Sequence, residues 1–504
     1  MTENSSHTSH LGPRNVAGGD VDERYVPMDE LADTVRQLVD GPARLADLFG
    51  TQGHDGVTTL RSVWAFDDQH RYLLLRTDIQ DADYPSISTI HPGAYIEECE
   101  IYEQFGLRPI GVEHLNRVAL PPQPDSDIPR LGSRSTEERG PTRSPHVIGG
   151  QAFEFPFGPV RAAGAESLYF GLVTSGEEVV DLYLFTWHKH RGIEWRLRGL
   201  YPAQALFLVQ RIEGFSAVAH GMAFAMAVEN AQGMAISQQT TRMRNVALEL
   251  ERIYNHTAAL AALCQACGLA VGQANVEIVL ERLLRLNAEA FGHRYLFDVV
   301  DIGELVDTPN LDVLRHDLPA IIADLRRVTD ALSTTNSFLD RLESTGVLDA
   351  VKAAALGAVG PIARAAGLDI DSRRDHPRDK FCTPNNVALQ RGGDALARYE
   401  IFRTEIESSA GLIAELTGPL PTSVPPAADT HPAGIGLGWA ESARGESLAW
   451  VSLDEDGRIE HARVRPATVR NWRAFGDAVR SRNVFTDVPI IEASFWLTAA
   501  GGAR

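Results

Sequence analysis

The segment 211–220 places a guanidinium, a carboxylate, a hydroxyl and an imidazole within ten residues. These groups belong to Arg211, Glu213, Ser216 and His220. If Glu213 is buried, desolvation raises the pKa of its carboxyl group unless Arg211 or another cation pairs with it. Two interpretations stay open for Glu213: an acid that relays protons or binds a ligand, and an internal ion pair that holds the loop. His220 is interpreted as a hydrogen-bonded histidine of the core.

A second group of polar side chains lies upstream, in His188-Lys189-His190-Arg191. Two histidines one residue apart can bind a metal, but no third ligand is evident in the sequence. We therefore expect a hydrogen-bonded loop that lines the same pocket as Glu213.

The cysteines offer no clear metal site. Cys264 and Cys267 form a Cys-x-x-Cys pair in a predicted helical run, 258–271, where a spacing of three places both on one face. We interpret them as small packing residues near a helix end, because buried cysteine often behaves as a small hydrophobe. Cys99 and Cys382 are single and are expected to be structural.

The composition argues against several classes of protein. A formal charge of −20 over 504 residues argues against a nucleic-acid-binding surface, and four cysteines suit a reducing cytoplasm. The N-terminus lacks the pattern of a secretion signal. The most apolar stretch, 203–228, contains Gln, Arg, Glu and His, so we interpret it as a buried helix rather than a membrane span. Any membrane contact is expected to be made by partner subunits.

The elements that must position these residues begin with a mixed N-terminal region. Residues 1–25 are polar and are expected to be disordered. Segments 57–66 and 72–76 are rich in β-branched, aromatic and other apolar residues and flank Asp67-Asp68, which predicts a hairpin. Segment 96–105 predicts a short helix that ends at Gly106.

The rest of the chain has, in turn, the sequence patterns of a linker, strands, helices and further strands. A linker composition over 121–146 is followed by β signals, of which 179–185 is the clearest strand. Residues 202–365 have helical periodicity and few prolines, which predicts a bundle. A strand meander is predicted over 434–465, with Asp456-Gly457 at a hairpin turn.

Several motifs carry a resemblance to a known family. They run from Gly158-Pro159-Val160 through Val179-Val180-Asp181 to Glu194, from Arg211 to Asn230, and from Glu249 to His256, followed by Gly292-His293-Arg294. In this order they resemble the large subunits of nickel–iron hydrogenases of the membrane-bound, formate-hydrogenlyase type. They also resemble the related 49 kDa subunit of respiratory complex I.

The N-terminal region carries a further resemblance. Glu103-Gln104-Phe105-Gly106-Leu107 and Arg117 are similar to the 30 kDa subunit of complex I. The fused order of the two parts is that of the large subunit of formate hydrogenlyase complexes.

The hydrogenase resemblance fails at the metal ligands. In these hydrogenases an Arg-x-Cys-Gly-x-Cys-x-x-x-His box and a C-terminal Cys-x-x-Cys box supply four thiolates. The matching positions in this chain are Glu213, Ser216, Thr498 and Gly501. Because a nickel–iron centre needs soft sulfur ligands, we predict that the chain binds no such centre through its own cysteines. A hydrogenase with unusual ligation is the least favoured alternative.

The complex I resemblance also departs at its site, which holds a quinone headgroup. The Arg-Leu-Asp-Tyr motif of that branch aligns on Arg211-Ile212-Glu213-Gly214. The acid is therefore kept as Glu213, and Gly214 stands where that branch has its quinone-contacting tyrosine. The histidine of its Gly-Pro-x-His loop is replaced by Arg161. Glu166 matches an acid that follows this loop in the hydrogenases, and it either points into the pocket or is a solvated strand-end residue.

The resemblance thus outlines a candidate pocket without assigning a catalytic residue. Its candidate residues are Arg161, Glu166, His190, Arg191, Arg211, Glu213, Ser216 and His220.

The predicted fold class is α+β. An N-terminal mixed α/β domain over 26–120 resembles the 30 kDa subunit, and a linker covers 121–148. Residues 149–504 form a large helical-bundle domain with flanking β-sheets, which resembles the hydrogenase large subunit and the 49 kDa subunit.

The function that the resemblance implies is that of a subunit in a membrane-associated oxidoreductase complex. The implied location is cytoplasmic and peripheral, at the inner face of the cell membrane through partner subunits. The implied partners are an iron–sulfur small subunit and integral membrane subunits. A quinone-like acceptor is the possible cofactor of this chain, and an iron–sulfur cluster is expected in a partner subunit. NAD binding is expected of such complexes, and whether this chain is itself an enzyme is left open. The alternative is a non-catalytic assembly subunit whose pocket is filled by Phe215, Phe495 and Trp496.

Overall fold

The computed structural model describes residues 21–53, 56–113, 115, 118, 152–161, 166–186, 188–378, 382–419, 431–480 and 482–504. The predicted linker over 121–148 and residues 1–20 of the predicted tail lie outside these ranges. Residues 21–25 form a strand, so the expectation of disorder is wrong for the last five residues of that tail.

The N-terminal part is built on a four-stranded sheet with the order β1-β4-β3-β2. The predicted hairpin is confirmed, because β3 and β4 pair antiparallel with Phe66 opposite Arg71. Strand β1 pairs parallel with β4. This long-range pairing cannot be predicted from the local sequence pattern. The predicted helix that ends at Gly106 is also confirmed. The elements are β1 Val21–Tyr25, α1 Leu31–Asp40, β2 Arg44–Gln52, β3 Thr58–Phe66, β4 Arg71–Ile79, β5 Asp83–Pro85, α2 Tyr95–Phe105 and β6 Arg108–Ile110.

A second sheet and a long series of helices follow. The sheet is an antiparallel meander in the order β7-β8-β9, and β9 contains the predicted strand 179–185. The helical bundle predicted after residue 202 is present, with α6 and α7 as long antiparallel neighbours. The elements are β7 Ala152–Phe157, β8 Tyr169–Ser175, β9 Glu178–Phe185, α3 Ile193–Leu197, α4 Pro202–Val209, α5 Ala217–Gln232, α6 Gln238–Ala266, α7 Ala270–Phe291, α8 Leu311–Leu332, α9 Asn336–Leu342, α10 Ala350–Ala355, α11 Gly360–Ala365, α12 Ser372–Asp375 and α13 Ala395–Leu416.

The predicted helical run 258–271 is not continuous. Helix α6 ends at Ala266, and Gly268 adopts a φ of 72° before α7 begins at Ala270. Cys264 is therefore buried in the last turn of α6, and Cys267 follows the helix. Burial raises the pKa of the Cys264 thiol to about 12 and that of Cys267 to about 11, so both are protonated thiols rather than thiolate ligands.

The C-terminal part contains the predicted strand meander, in the order β10-β11-β12. The turn between β11 and β12 includes Gly457 at a φ of 74°, as expected for the Asp456-Gly457 hairpin. The elements are β10 Gly434–Ser442, β11 Gly445–Leu453, β12 Ile459–Arg465, α14 Ala467–Val479 and α15 Val488–Phe495. Across the residues that the structure describes, we find no helix with both the length and the apolar character needed to cross a bilayer.

Helix α5 packs directly on the backbone of β10. Gly434, Gly436 and Gly438 occur at every second residue of β10, and a Cβ atom at each would lie 1.9–2.1 Å from a carbonyl oxygen of α5. These oxygens belong to residues spaced four apart, Ala223, Ala227 and Ala231. The two spacings match, because four helical residues rise about 6 Å and two strand residues about 6.7 Å. This contact fixes the position of α5, whose first turn adjoins the candidate site.

The N-terminal sheet shares a core with the C-terminal meander. Phe49 and Tyr72 from the first sheet pack with Trp439 and Trp450 from β10 and β11. Buried ion pairs cross the same boundary, including Arg463 with Asp47 and Arg44 with Glu446. The two parts therefore pack as one body through both apolar and charged contacts.

The α5–β10 contact gives a stability prediction. Gly436→Ala forces the strand and helix apart, so we expect a loss of about 3 kcal/mol or more in the free energy of unfolding, or failure to fold. The control is Gly411→Ala, an exposed position on α13 with no atom within 4 Å of the added Cβ, where helix propensity predicts a gain of up to about 1 kcal/mol. Chemical denaturation compares the two variants. Equal stabilities would contradict the close contact.

Candidate functional site

The four positions that match metal ligands in the resembled hydrogenases lie together in the structure. The Thr498 hydroxyl donates to Glu213 Oε1 at 2.6 Å. Gly501 packs against the same carboxylate, since a Cβ atom at this glycine would lie 2.3 Å from Glu213 Oε1. Ser216 immediately precedes α5, and its hydroxyl accepts a hydrogen bond from Arg444 at 3.1 Å. Hydrogen bonds within the chain therefore engage the Glu213, Thr498 and Ser216 side chains.

The C-terminal turn that carries Thr498 and Gly501 is fixed by the end of α15 and by α14. Trp496 adopts a left-handed conformation, with a φ of 51°, which ends α15 and redirects the chain. Thr468 of α14 then exchanges two hydrogen bonds with the Thr498 backbone, at 3.0 and 3.2 Å. Trp472 donates a third to the Thr498 carbonyl oxygen. The Thr498 side chain is thereby directed at Glu213.

His220 lies one turn into α5 and is fully buried beside Glu213. Its Nε2 atom is 3.7 Å from Glu213 Oε2, too far for a hydrogen bond, and neither ring nitrogen has a hydrogen-bond partner within the described part of the chain. Burial lowers the pKa of His220 to about 4, with Glu213 opposing the shift. His220 is therefore a neutral imidazole at pH 7. The prediction that it is a hydrogen-bonded core histidine is right about burial and wrong about the bond.

Arg191 and Glu166 hold the C-terminal turn against the loop before α5. The Arg191 guanidinium donates to the carbonyl oxygens of Ile212 at 2.7 Å and Ala500 at 2.6 Å, so it joins the two segments. Glu166 accepts hydrogen bonds from the backbone N–H groups of residues 499 and 500. Burial raises the pKa of the Glu166 carboxyl group, although these backbone donors oppose the shift. Glu166 is partly buried and Arg191 is exposed, so they form the outer edge of the site.

Three of the predicted pocket residues point elsewhere. Arg211 forms a bidentate pair with Asp298 and stacks on the Phe207 ring at 3.6 Å, so it is not the partner of Glu213. Arg161 forms a bidentate pair with Glu492, with both N–O distances 2.7 Å. His190 lines a different cleft. That cleft also includes Phe49, Phe105, Trp195, Trp450 and His461.

Arg444 is the central residue that the sequence reasoning missed. It lies in the turn between β10 and β11, donates to the Trp496 carbonyl oxygen at 2.5 Å, and bonds Ser216. Its guanidinium also faces the rings of Phe215 and Trp496. The available signal was an arginine in the Ala443-Arg444-Gly445 segment inside the predicted strand meander.

Two side chains of α6 complete the inner wall. Glu251 is fully buried and accepts the backbone N–H groups of Val218 and Ala219, so it caps the beginning of α5. Burial raises the pKa of Glu251 to about 8, against the effect of these two donors. Asn255 donates to the Phe215 carbonyl oxygen at 2.7 Å. Both contacts fix the loop that presents Glu213.

Aromatic side chains occupy the space beside Ser216. Phe215 and Trp496 pack edge to face, with ring centroids 5.7 Å apart. Phe495, the third residue expected to fill the pocket, instead packs on Phe475 and beneath Arg398 in another part of the core. Of the three residues, Phe215 and Trp496 lie together beside Ser216, and Phe495 does not.

The donor set at this site does not fit a nickel–iron centre. It offers one carboxylate, two hydroxyls and a glycine, none of which is a soft ligand. Within the described residues, no three His, Cys, Asp or Glu side chains are grouped as they would be around a metal ion. The arrangement can instead serve as a hydrogen-bonded joint between the two chain segments.

Three family models match this chain, one after another. The respiratory-chain NADH dehydrogenase 30 kDa subunit matches residues 24–129, nickel-dependent hydrogenase matches 191–264, and the NADH dehydrogenase 49 kDa subunit matches 280–431. The resemblance found in the sequence is therefore confirmed, including the order of its fused parts. The α+β fold class is confirmed as well.

Individual relatives extend over most of the chain. Formate hydrogenlyase subunit 5 of Escherichia coli K12 is 26% identical, over 83% of this chain and 77% of that protein. Hydrogenase-4 component G of the same organism is 27% identical, over 83% of this chain and 75% of that protein. A subunit of the NADH-quinone oxidoreductase of Salinispora arenicola is 29% identical, over 58% of this chain and 81% of that protein.

A solved structure shares the fold. A chain from the membrane-bound sulfane sulfur reductase, an archaeal respiratory membrane complex, superposes with a TM-score of 0.65 at 22% identity. The match covers 70% of this chain and 99% of that one.

The Glu213–Thr498 contact gives a second stability prediction. Thr498→Val removes the hydroxyl and leaves a buried carboxylate oxygen without that donor, so we expect a loss of about 1–3 kcal/mol in the free energy of unfolding. Thr498→Ser keeps the hydroxyl and serves as the matched control, with a smaller loss. Urea denaturation of both variants measures the difference. If valine and serine were equally tolerated, the hydrogen bond would not hold the turn.

Proposed function

We propose that this protein is a peripheral subunit of a membrane-associated, multi-subunit oxidoreductase complex, and that it holds no nickel–iron centre at Glu213. The first part rests on the relatives, which are named as a subunit of formate hydrogenlyase, a component of hydrogenase-4 and a subunit of NADH-quinone oxidoreductase. The second part rests on this chain's own residues.

The observation that carries the proposal is the closed contact at the four former ligand positions. Glu213 and Thr498 bond each other, Gly501 packs against the Glu213 carboxylate, and Ser216 bonds Arg444. A metal centre here would break these hydrogen bonds, and only hard oxygen atoms would then be available as its ligands. Such ligands suit the nickel and iron of a hydrogenase centre poorly. The geometry therefore supports a joint between two chain segments at this place.

A hydrogen-bonded joint of this kind is consistent with a subunit that has a structural role and positions partner subunits. Arg191 and Glu166 hold the same two segments together at the outer edge, and Phe215 and Trp496 fill the space within. In this proposal electrons are carried by partner subunits. The partners we expect are an iron–sulfur small subunit and integral membrane subunits, with attachment at the cytoplasmic face of the membrane.

The first test is purification of the tagged full-length chain from cells that express its companion subunits. We expect co-purification of an iron–sulfur protein and membrane subunits, identified by mass spectrometry, with nickel far below one atom per chain by elemental analysis. A nickel-dependent hydrogenase purified in the same way is the control. Stoichiometric nickel would contradict the metal-free site, and recovery of the chain alone would contradict the complex.

A quinone-like acceptor at this site is the second candidate. The observation that favours it is His220, whose imidazole lacks a hydrogen-bond partner beside Glu213 and could donate an N–H group to a carbonyl oxygen. The partly buried Glu166 and the exposed Arg191 would lie on the solvent side of the bound quinone.

The quinone hypothesis predicts a specific effect of His220. Organic extraction of the purified complex should yield quinone, and His220→Leu should reduce the bound amount at least about tenfold, which corresponds to the loss of one good hydrogen bond. His316→Leu, at an exposed position of α8, is the matched control and should leave it unchanged. No quinone in the wild-type complex, or an equal amount in the His220 variant, would leave the structural role as the better account.

A further inference from the structure

A group of eight charged or titratable side chains is buried away from the Glu213 site, between α6, α11, α12, α13 and β10. We call it the core charge cluster. Its members are at most 7% exposed. They are Glu249, Arg252 and His256 of α6, Arg364 of α11, Asp371 just before α12, Arg373 of α12, Glu405 of α13, and Glu441 of β10.

Among the residues that the structure describes, the core charge cluster is one positive charge short. Its four carboxyl groups face three guanidinium groups, which leaves one carboxyl without a full counter-charge if His256 is neutral. The neighbouring buried cluster differs, because Arg44 and Arg465 balance Asp67 and Glu446. An uncompensated charge in the interior is costly, so the core charge cluster is expected to hold a proton.

His256 is not the group that supplies the missing charge. Its Nε2 atom lies 2.8 Å from Glu405 Oε2, and the neutral ring can make this bond with Nε2–H as the donor. Its Nδ1 atom is buried and has no hydrogen-bond partner. A second proton on His256 would therefore leave an N–H group without an acceptor, and burial lowers the pKa of this ring.

Three of the four carboxyl groups are well compensated. Glu249 accepts from Arg252, Arg373 and Ser409. Asp371 accepts two side-chain bonds and one backbone bond from Arg373. Glu405 accepts two bonds from Arg364 and one from His256. These groups have the donors that an ionised carboxylate requires.

Glu441 is the exception. It receives one guanidinium bond, from Arg364 at 2.8 Å. Among the described residues its other oxygen meets Ser372 alone, with the hydroxyl at 2.7 Å and a long backbone N–H bond at 3.3 Å. A hydroxyl oxygen can also accept, so the same contact suits a protonated Glu441 that donates to Ser372. Burial raises the pKa of Glu441, and the nearby Asp371 carboxylate raises it further, while Arg364 and Arg252 oppose the shift.

We propose that Glu441 is a proton-binding site in the core: its carboxyl group holds one proton at neutral pH and completes the charge balance of the core charge cluster. This inference is independent of the proposed function, because it rests on a different group of residues.

The proton site is connected to the turn that carries Arg444. Arg252 donates to the backbone carbonyl oxygens of Glu441 and Ser442, at 2.6 and 3.0 Å. The Ser442 hydroxyl accepts the Arg444 backbone N–H group, and the Arg444 side chain then reaches Ser216. Loss of the Glu441 proton would place a new negative charge at the end of β10, three residues before Arg444. The position of Arg444 is therefore sensitive to this proton.

The test compares two neutralising substitutions in the purified full-length chain. Glu441→Gln copies the protonated acid, so we expect the melting temperature to stay within about 2 °C of wild type. Glu405→Gln is the matched control. It removes a compensated negative charge that accepts two bonds from Arg364 and one from His256, and should lower the melting temperature by about 5 °C or more. Equal destabilisation by the two variants, or failure of Glu441→Gln to fold, would overturn the proposal.

The pH dependence supplies an independent readout. The unfolded chain releases the Glu441 proton near the ordinary carboxyl pKa, whereas the folded chain keeps it to higher pH. Wild-type stability therefore falls as the pH rises through this interval, and Glu441→Gln should remove that part of the slope. The infrared carbonyl band of a protonated carboxylic acid, measured at pH 7, should also lose intensity in Glu441→Gln. An unchanged band and slope would show that Glu441 is ionised.

Discussion

The hydrogen bond between Glu213 and Thr498 is the interaction on which the candidate site depends. It joins the loop before α5 to the C-terminal turn, across 285 residues of sequence. A buried carboxylate must find donors, and the Thr498 hydroxyl provides one directly. Gly501 leaves the space for this carboxylate, and Arg191 ties the same two segments by their carbonyl oxygens. The site is thus held in shape by its own hydrogen bonds.

In the hydrogenases that this chain resembles, bonds from four thiolates to the metals link the same two segments. Here hydrogen bonds from a hydroxyl to a carboxylate and from a guanidinium to backbone carbonyl oxygens join these segments. The packing around them is equally demanding. The glycines of β10 let α5 approach its backbone, and Glu251 caps the beginning of that helix. The fold has kept the scaffold of the site while the groups at its centre form a different kind of joint.

Local sequence patterns predicted most elements, because hairpins and amphipathic helices are determined over short distances. The hairpin of β3 and β4 and the meander of β10 to β12 are examples. Resemblance predicted which four positions would meet. Contacts between residues far apart in the sequence could not be predicted, because local spacing carries no information about them. Arg211 pairs with Asp298 instead of Glu213, Arg444 reaches Ser216 from a turn 228 residues away, and β1 joins its sheet in parallel.

In this account, the protein's own side chains occupy the space between the loop before α5 and the C-terminal turn in the assembled protein. The most direct measurement is a high-resolution cryo-electron-microscopy map of the intact complex, with attention to the density around Glu213. We expect the Glu213 carboxylate in contact with the Thr498 hydroxyl, and Ser216 in contact with Arg444. Strong density for metal ions between these side chains, with the two contacts broken, would contradict the account.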